Sequence, residues 1–384
     1  MKYIYPILLI SMIAFPKSGI AIGKIPLNSI TILIISLFPI LLLKYVVNIG
    51  KTKSSNLPEI YFLLILPFYF LLFIFNIFNG IENLSSYFGF IFSVIITPLF
   101  FLMLFRFISY QNIREYDNFF INCVRFVAIY GILLFIYKVL TGSFFEVPGL
   151  TTTYGAAIEL EDRMNDRGGI FKLFSTFNNG NLYGLSILML FPLYTFLEKN
   201  KLFVLIVSLS LILTFSRTIW VLLFLYLLYT AITNSKFNPI KIVFGVILVS
   251  LFILIINIVL SFLGFNLNFI FDSSLGGRSE AFSKISFDLY SSNAFDIISE
   301  IPYVSLIYSL GLISLPFFLL YFSNILINFK YIITSKNSFR KSATLGSVIY
   351  FLACLSDGAI IYIPVFIVFI FVTFLSLKNE SKIS

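Results

Sequence analysis

Residues 202–231 read LFVLIVSLSLILTF over 202–215, then Ser216-Arg217-Thr218, then IWVLLFLYLLYTA over 219–231. Three residues between two apolar runs leave almost no room for a loop. The stretch is therefore a helical hairpin in hydrocarbon, where each segment must satisfy its own backbone hydrogen bonds. Arg217 lies in its turn. A guanidinium does not lose its charge, so this close to hydrocarbon it needs an anion that fits its planar fork, or headgroups reached by snorkelling.

The hairpin is typical of the chain. Of 384 residues, 59% are hydrophobic and only 11% charged, with a mean hydropathy of +1.02. A soluble domain of this size must solvate its surface and does not carry so much apolar residue. The apolar runs are continuous, whereas barrel strands alternate, so a β-barrel is excluded. The expected fold is all-α, a polytopic membrane helical bundle forming one integral membrane domain over 1–384. Stretches able to cross about 30 Å of hydrocarbon number about twelve. They fall at 3–16, 25–47, 58–78, 86–108, 119–140, 181–197, 201–215, 218–233, 242–265, 302–328, 342–356 and 359–377. Pro6, Pro39, Pro67, Pro98, Pro192, Pro316 and Pro364 lie within them and read as kinks. The run from Tyr3 to Phe15 resembles a signal peptide, but Pro16-Lys17-Ser18-Gly19 is a poor cleavage site, so it reads as an uncleaved first span.

Basic residues set the orientation. Sixteen of the 26 fall in one set of connecting segments. Eight fall in the other: Lys17, Lys24, Arg163, Arg167, Lys172, Arg217, Arg278 and Lys284. Arg125 and Lys138 lie inside the fifth stretch. The rich side reads as cytoplasmic, which puts both termini inside. The net charge of +9 is then a topology signal, and nucleic-acid binding is not expected. Two outward segments are long, about 141–180 and 266–301. Sizeable polar loops on one face suit an enzyme working there better than a transporter rocking two halves.

The chain has no histidine, so the commonest metal ligand and general base are both missing, and neither a metal nor a cofactor is expected. Cys123 and Cys354 fall inside spans and imply no disulfide framework. A nucleotide-binding Gly-x-x-x-x-Gly-Lys-Ser/Thr loop is absent, as are His-Glu-x-x-His and Cys-x-x-Cys.

Arg217 reads as a clamp on phosphate oxygens. Arg278 follows Gly276-Gly277, whose backbone N–H groups can approach an anion closely. In the first outer segment Glu159 to Arg167 mixes signs densely and reads mostly as a solvated face, with Arg163 and Arg167 as its cations. Phe177-Asn178-Asn179-Gly180-Asn181 then enters the sixth span. Asparagine beside glycine suits helix capping, and Asn178 and Asn181 equally suit hydrogen bonding to sugar hydroxyls. Glu300 precedes Ile301-Pro302-Tyr303 at the tenth span. It reads as a favourable carboxylate at a helix N-terminus, or as a general base at the membrane surface, with Asp296 and Glu280 as competitors. Asp357, in the turn of the last hairpin, reads as structural.

Three short stretches resemble the bacterial O-antigen polymerase and ligase superfamily, polymerases of the Wzy type above all. They are Arg167 to Gly184, Thr214-Phe215-Ser216-Arg217-Thr218-Ile219-Trp220 and Gly277-Arg278-Ser279-Glu280-Ala281-Phe282. Tyr303-Val304-Ser305-Leu306 and Gly311 align with the segment after the family's late loop, and Glu300 falls where the ligases carry histidine. The resemblance implies a glycosyltransferase similar to the C type in the bacterial inner membrane. It would join oligosaccharide repeat units carried on undecaprenyl pyrophosphate, at the periplasmic face and without a metal. Its catalytic residues would be Arg217, Arg278 and Glu300. Arg163, Arg167, Asn178, Asn181, Glu280 and Tyr303 would hold substrate. Membrane lipid and a chain-length regulator protein are the implied partners. An O-antigen ligase is the nearer alternative; a flippase or exporter of lipid-linked sugars is the alternative of another class.

Overall fold

The structure, a computed structural model, describes residues 3–22, 25–48, 57–155, 166–167, 170–234, 278–334, 338–360 and 362–378. The predicted span 242–265, the loop residues 266–277 and Arg163 lie outside the described residues. The chain is mostly helical. In order run α1 (Ile4–Ala14), the hairpin β1 (Gly19–Ile22) and β2 (Ile25–Asn28), α2 (Ser29–Val47), α3 (Leu57–Asn79), α4 (Leu84–Phe107), α5 (Tyr110–Arg114) and α6 (Asp117–Thr141). The small hairpin β3 (Asp166–Arg167) and β4 (Ile170–Phe171) comes next, then α7 (Gly180–Leu197), α8 (Lys201–Ile212) and α9 (Arg217–Asn234). The chain ends in α10 (Arg278–Ser283), α11 (Pro302–Leu310), α12 (Ser314–Ile327), α13 (Phe329–Ile333), α14 (Phe339–Ala353) and α15 (Ile363–Leu377). Of these, α2, α3, α4, α6 and α7 are long and apolar enough to cross a membrane.

The bundle is organised around α15. This helix is apolar nearly all round, and every residue from Pro364 to Leu377 is buried. Such a helix belongs in an interior. It packs against α14, α7 and α4. The contact of α7 with α14 is close because Gly346 has no side chain: a Cβ there would overlap the Met189 carbonyl oxygen. Small residues let helices approach in this way when lipid gives apolar surfaces no reason to leave it. Polar side chains join the helices inside. The Asn324 amide donates to Ser347 and Ser376, at 2.9 and 3.2 Å. Pro98 has no N–H to offer the Val94 carbonyl one turn earlier, and that oxygen instead accepts the hydroxyls of Tyr69 (2.9 Å) and Tyr321 (2.8 Å).

The two ends of the bundle differ. At one end ion pairs and cation contacts lock helix termini: Arg106 with Glu59 at 2.7 Å, Arg114 with Asp117 at 2.9 Å, and Arg125 with Glu198 at 2.6 Å. Arg125, one of the two basic residues inside the fifth predicted span, is thus a partner in a helix clamp. The other, Lys138, donates to the Gly142 carbonyl and lies 4.1 Å from the Phe144 ring. At the opposite end the longer connections fold over one another. Gly19 N–H donates to the Gly149 carbonyl (3.0 Å) and Ala21 N–H to that of Tyr154 (2.8 Å), so β1 docks on the segment after α6.

Three features depart from the sequence reading. Residues 25–28 are a strand instead of the start of a span, and α2 begins at Ser29, after Pro26 has taken an edge position in the hairpin. The predicted span 302–328 is broken at Gly311, whose φ is +83°. The Leu289 carbonyl comes so close to this glycine that a Cβ would meet it at 2.5 Å, and the 288–289 backbone accepts from the N–H groups of Leu312 and Ile313. Pro364 stands in the first turn of α15, where its missing N–H costs nothing, so it starts that helix and does not kink it.

Candidate functional site

The turn between α14 and α15 is where the long connections meet. Asn179 caps α7, its side-chain oxygen accepting from the N–H groups of Asn181 (2.8 Å) and Leu182 (3.2 Å). This fixes the first turn of the helix and aims Asn181 outward, where its amide donates to Asp357 at 3.1 Å. The Asn181 amide oxygen is buried without a partner among the described residues. One residue before Asp357, Ser356 shares a hydrogen bond of 3.1 Å with Thr218, the second residue of α9. Leu355 accepts the Tyr303 hydroxyl at 3.1 Å, and Ala359 N–H donates to the Glu300 carbonyl at 3.0 Å. Asp357, at 4% exposure, lies buried in the middle of the turn that makes these contacts.

Arg217 is the first residue of α9 and is half-buried. Its position is set tightly from both sides. Leu213 accepts from the Leu173 N–H at 2.9 Å, which ties the α8–α9 turn to the segment leading into α7. Phe215 takes φ +49°, and the Trp220 indole donates back to the Ile212 carbonyl at 2.8 Å. A bulky residue at positive φ is strained, and such residues persist where surrounding structure holds them. All four described non-glycine residues with positive φ, namely Ser175, Asn178, Phe215 and Ala359, lie in the three segments that meet here.

Glu300 is half-buried beside Tyr362. Burial, then the carboxylates of Glu300 and Asp357, push the Tyr362 phenol up to about 12. It therefore stays protonated, as a donor, throughout the neutral range. Lys17, from the turn before β1, lies 6.0 Å from the Tyr362 ring. One end of the bundle thus gathers a guanidinium, an ammonium, two carboxylates, a phenol and an amide. Cations of this kind can neutralise an anionic leaving group, and a carboxylate can take a proton.

The other sequence candidates divide. Tyr303 joins the cluster directly. Asn178 is buried at the end of a short 3₁₀ turn, behind the cap. Arg278 and Glu280 open α10, which is brought to the same place by Phe282, whose ring centroid is 6.4 Å from that of Tyr303. Ala281 packs with Ile301 and Val304. The side chains of Arg278 and Glu280 lie outside the described residues, as does that of Arg167, whose backbone pairs with Ile170 in the β3–β4 hairpin. Asp296 is turned to a local role: its N–H and carbonyl both bond Ser309, at 3.1 and 2.7 Å. Sequence reasoning read Asp357 as structural and did not single out Tyr362. A lone acidic residue between two apolar runs was the available signal, the same kind that singled out Arg217.

Compared with protein-family models, with curated proteins and with solved structures, the chain matches none.

Proposed function

We propose that this protein is a metal-independent membrane glycosyltransferase that polymerises lipid-linked oligosaccharide repeat units, of O-antigen or a related surface polysaccharide. The reading rests on the three motif stretches. The observation that carries it furthest is that α9 with Arg217, the α7 start with Asn181, and the Glu300–Tyr303 segment all meet the 355–362 turn. In this reading the chain crosses the inner membrane about twelve times. Both termini are cytoplasmic, and the cluster faces the periplasm.

The chemistry suits the groups present. A hydroxyl oxygen of the incoming lipid-linked unit attacks the anomeric carbon of the growing chain's reducing-end sugar. The bond from that carbon to the pyrophosphate oxygen breaks, and undecaprenyl pyrophosphate leaves with the electron pair. Arg217 and Arg278 stabilise the departing charge, and Glu300 accepts the hydroxyl proton. Tyr362 stands beside Glu300 as a protonated phenol.

The deciding experiment supplies the purified protein with an undecaprenyl-pyrophosphate-linked repeat unit, in the presence of EDTA. A product ladder is expected. A single transfer to a different acceptor would mark a ligase. Absence of turnover with movement of the intact lipid across a bilayer would mark a flippase.

A further inference from the structure

A second polar cavity lies at the far end of the bundle from Arg217. It has a volume of about 240 Å³ and opens between the C-terminal halves of α7 and α9 and the N-terminal halves of α8 and α14. Its lining includes Thr195, Ser208, Tyr226, Thr230 and Lys341. The space takes a polar headgroup, well beyond a single water. Lys341 is the one charged residue among the described lining residues, which include no carboxylate. The residue is buried, at 3% exposure, and its ammonium donates to the Thr334 carbonyl at 2.8 Å and stands 5.4 Å from the Tyr229 ring. Of its three protons one is thereby committed, and two remain for a ligand. Thr195 and Tyr226 share a 2.7 Å hydrogen bond at the wall, each keeping acceptor capacity. A buried ammonium with no carboxylate among the described lining residues selects a negatively charged group, and the hydroxyls around it, whose protons go to helix carbonyls or to one another, keep lone pairs that suit the polyol hydroxyls of a headgroup.

The flanks say where such a group comes from. Leu205, next in the chain to the lining residue Val204 on α8, and Leu225 and the lining residue Leu227 on α9 are exposed leucines. They provide an apolar surface on which acyl chains can lie while the headgroup enters. Basic pockets between membrane helices hold anionic lipid headgroups in this way. We propose that this cavity binds the phosphodiester headgroup of an anionic membrane lipid, with Lys341 as the residue that recognises its charge. The site is separate from the Arg217 cluster and does not depend on the glycosyltransferase reading.

The test uses the full-length protein in detergent, titrated with phosphatidylglycerol, with zwitterionic phosphatidylcholine and with soluble glycerol phosphate, and reads bound ligand by native mass spectrometry. Phosphatidylglycerol is expected to stay bound in preference to phosphatidylcholine, and Lys341→Gln to lower its retention about tenfold. Ser208→Leu, which fills the cavity and leaves the charge in place, is expected to lower it as well, and covers the case in which Lys341→Gln does not fold. Equal retention of phosphatidylglycerol by the wild type and the folded variants would overturn the site. Glycerol phosphate binding as tightly as the lipid, with the same dependence on Lys341, would overturn the lipid as its occupant.

Discussion

Asn181 donates its side-chain amide to Asp357 across 3.1 Å, joining the first turn of α7 to the turn before α15, 176 residues later in the chain. The carboxylate is buried, so losing a donor leaves charge poorly satisfied. Asn181→Ala is expected to cost about 1–3 kcal/mol of stability, read by thermal unfolding in detergent. Asn181→Asp places a second carboxylate against the first, and one of the pair must then hold its proton well above the ordinary range. With the folded value raised, the penalty is absent below the unfolded value and complete above the folded one. That variant should therefore be closest to wild type in acid and weakest in base. A deficit independent of pH would refute the contact.

At the opposite end, Glu198 accepts from Arg125, Tyr194 and the Asn200 N–H. Burial alone would raise its carboxyl, but the Asn200 N–H, then Arg125 and Tyr194, outweigh it and hold the group below the ordinary glutamate range. A lowered folded value means stability that is present above the unfolded value and lost as pH falls through the folded one. Glu198→Gln should cost about 1–3 kcal/mol near neutrality. The gap to wild type should close in acid, as followed by melting temperature against pH.

Arg217 and Arg278 are expected to act on one pyrophosphate. Lysine keeps the charge but loses the bidentate fork, so Arg217→Lys should be severely impaired in polymerisation. Because both residues would stabilise the same charge, the double Arg→Ala variant should lose less than the product of the single losses. Strict additivity at matched membrane expression, or full activity in Arg217→Lys, would separate the two arginines.

Glu300→Gln keeps the size of the side chain and removes its basicity. A loss of about 10²-fold or more in rate is expected. Tyr362→Phe removes only the phenol hydroxyl beside Glu300 and should cost less, with little further effect in the Glu300→Gln background. Independent losses measured in the lipid-linked assay would show that the phenol acts elsewhere.

Reporter fusions after Lys53 and after Ile158 should report opposite sides of the membrane, as the basic bias implies. Both reading cytoplasmic would move the cluster to the wrong face for a periplasmic polymerase.

Much of the local structure was legible. The sequence puts the hairpin turn at Ser216-Arg217-Thr218; the break falls slightly earlier, at 213–216, and Arg217 opens α9. The asparagine cluster before α7 does contain a cap, at Asn179. Arg217 was conspicuous for its charge. The importance of the turn around Asp357 was not, since nothing local tells a carboxylate that closes a turn from one in a turn that three other segments meet.

The sequence by itself determined that the chain is mostly apolar helix and where several helices begin: run length, proline placement and capping asparagines act within a few residues and need no partner. Only the tertiary structure decided which helix is central. α2 and α15 are both apolar nearly all round, yet α15 is wholly enclosed and much of α2 faces outward. In water a polar face would have told them apart. In hydrocarbon, lipid and protein interior are equally apolar, so hydropathy does not record which surface another helix covers. The tertiary packing likewise chose the meeting point of the polar groups, at the 355–362 turn, through hydrogen bonds between residues up to 176 positions apart.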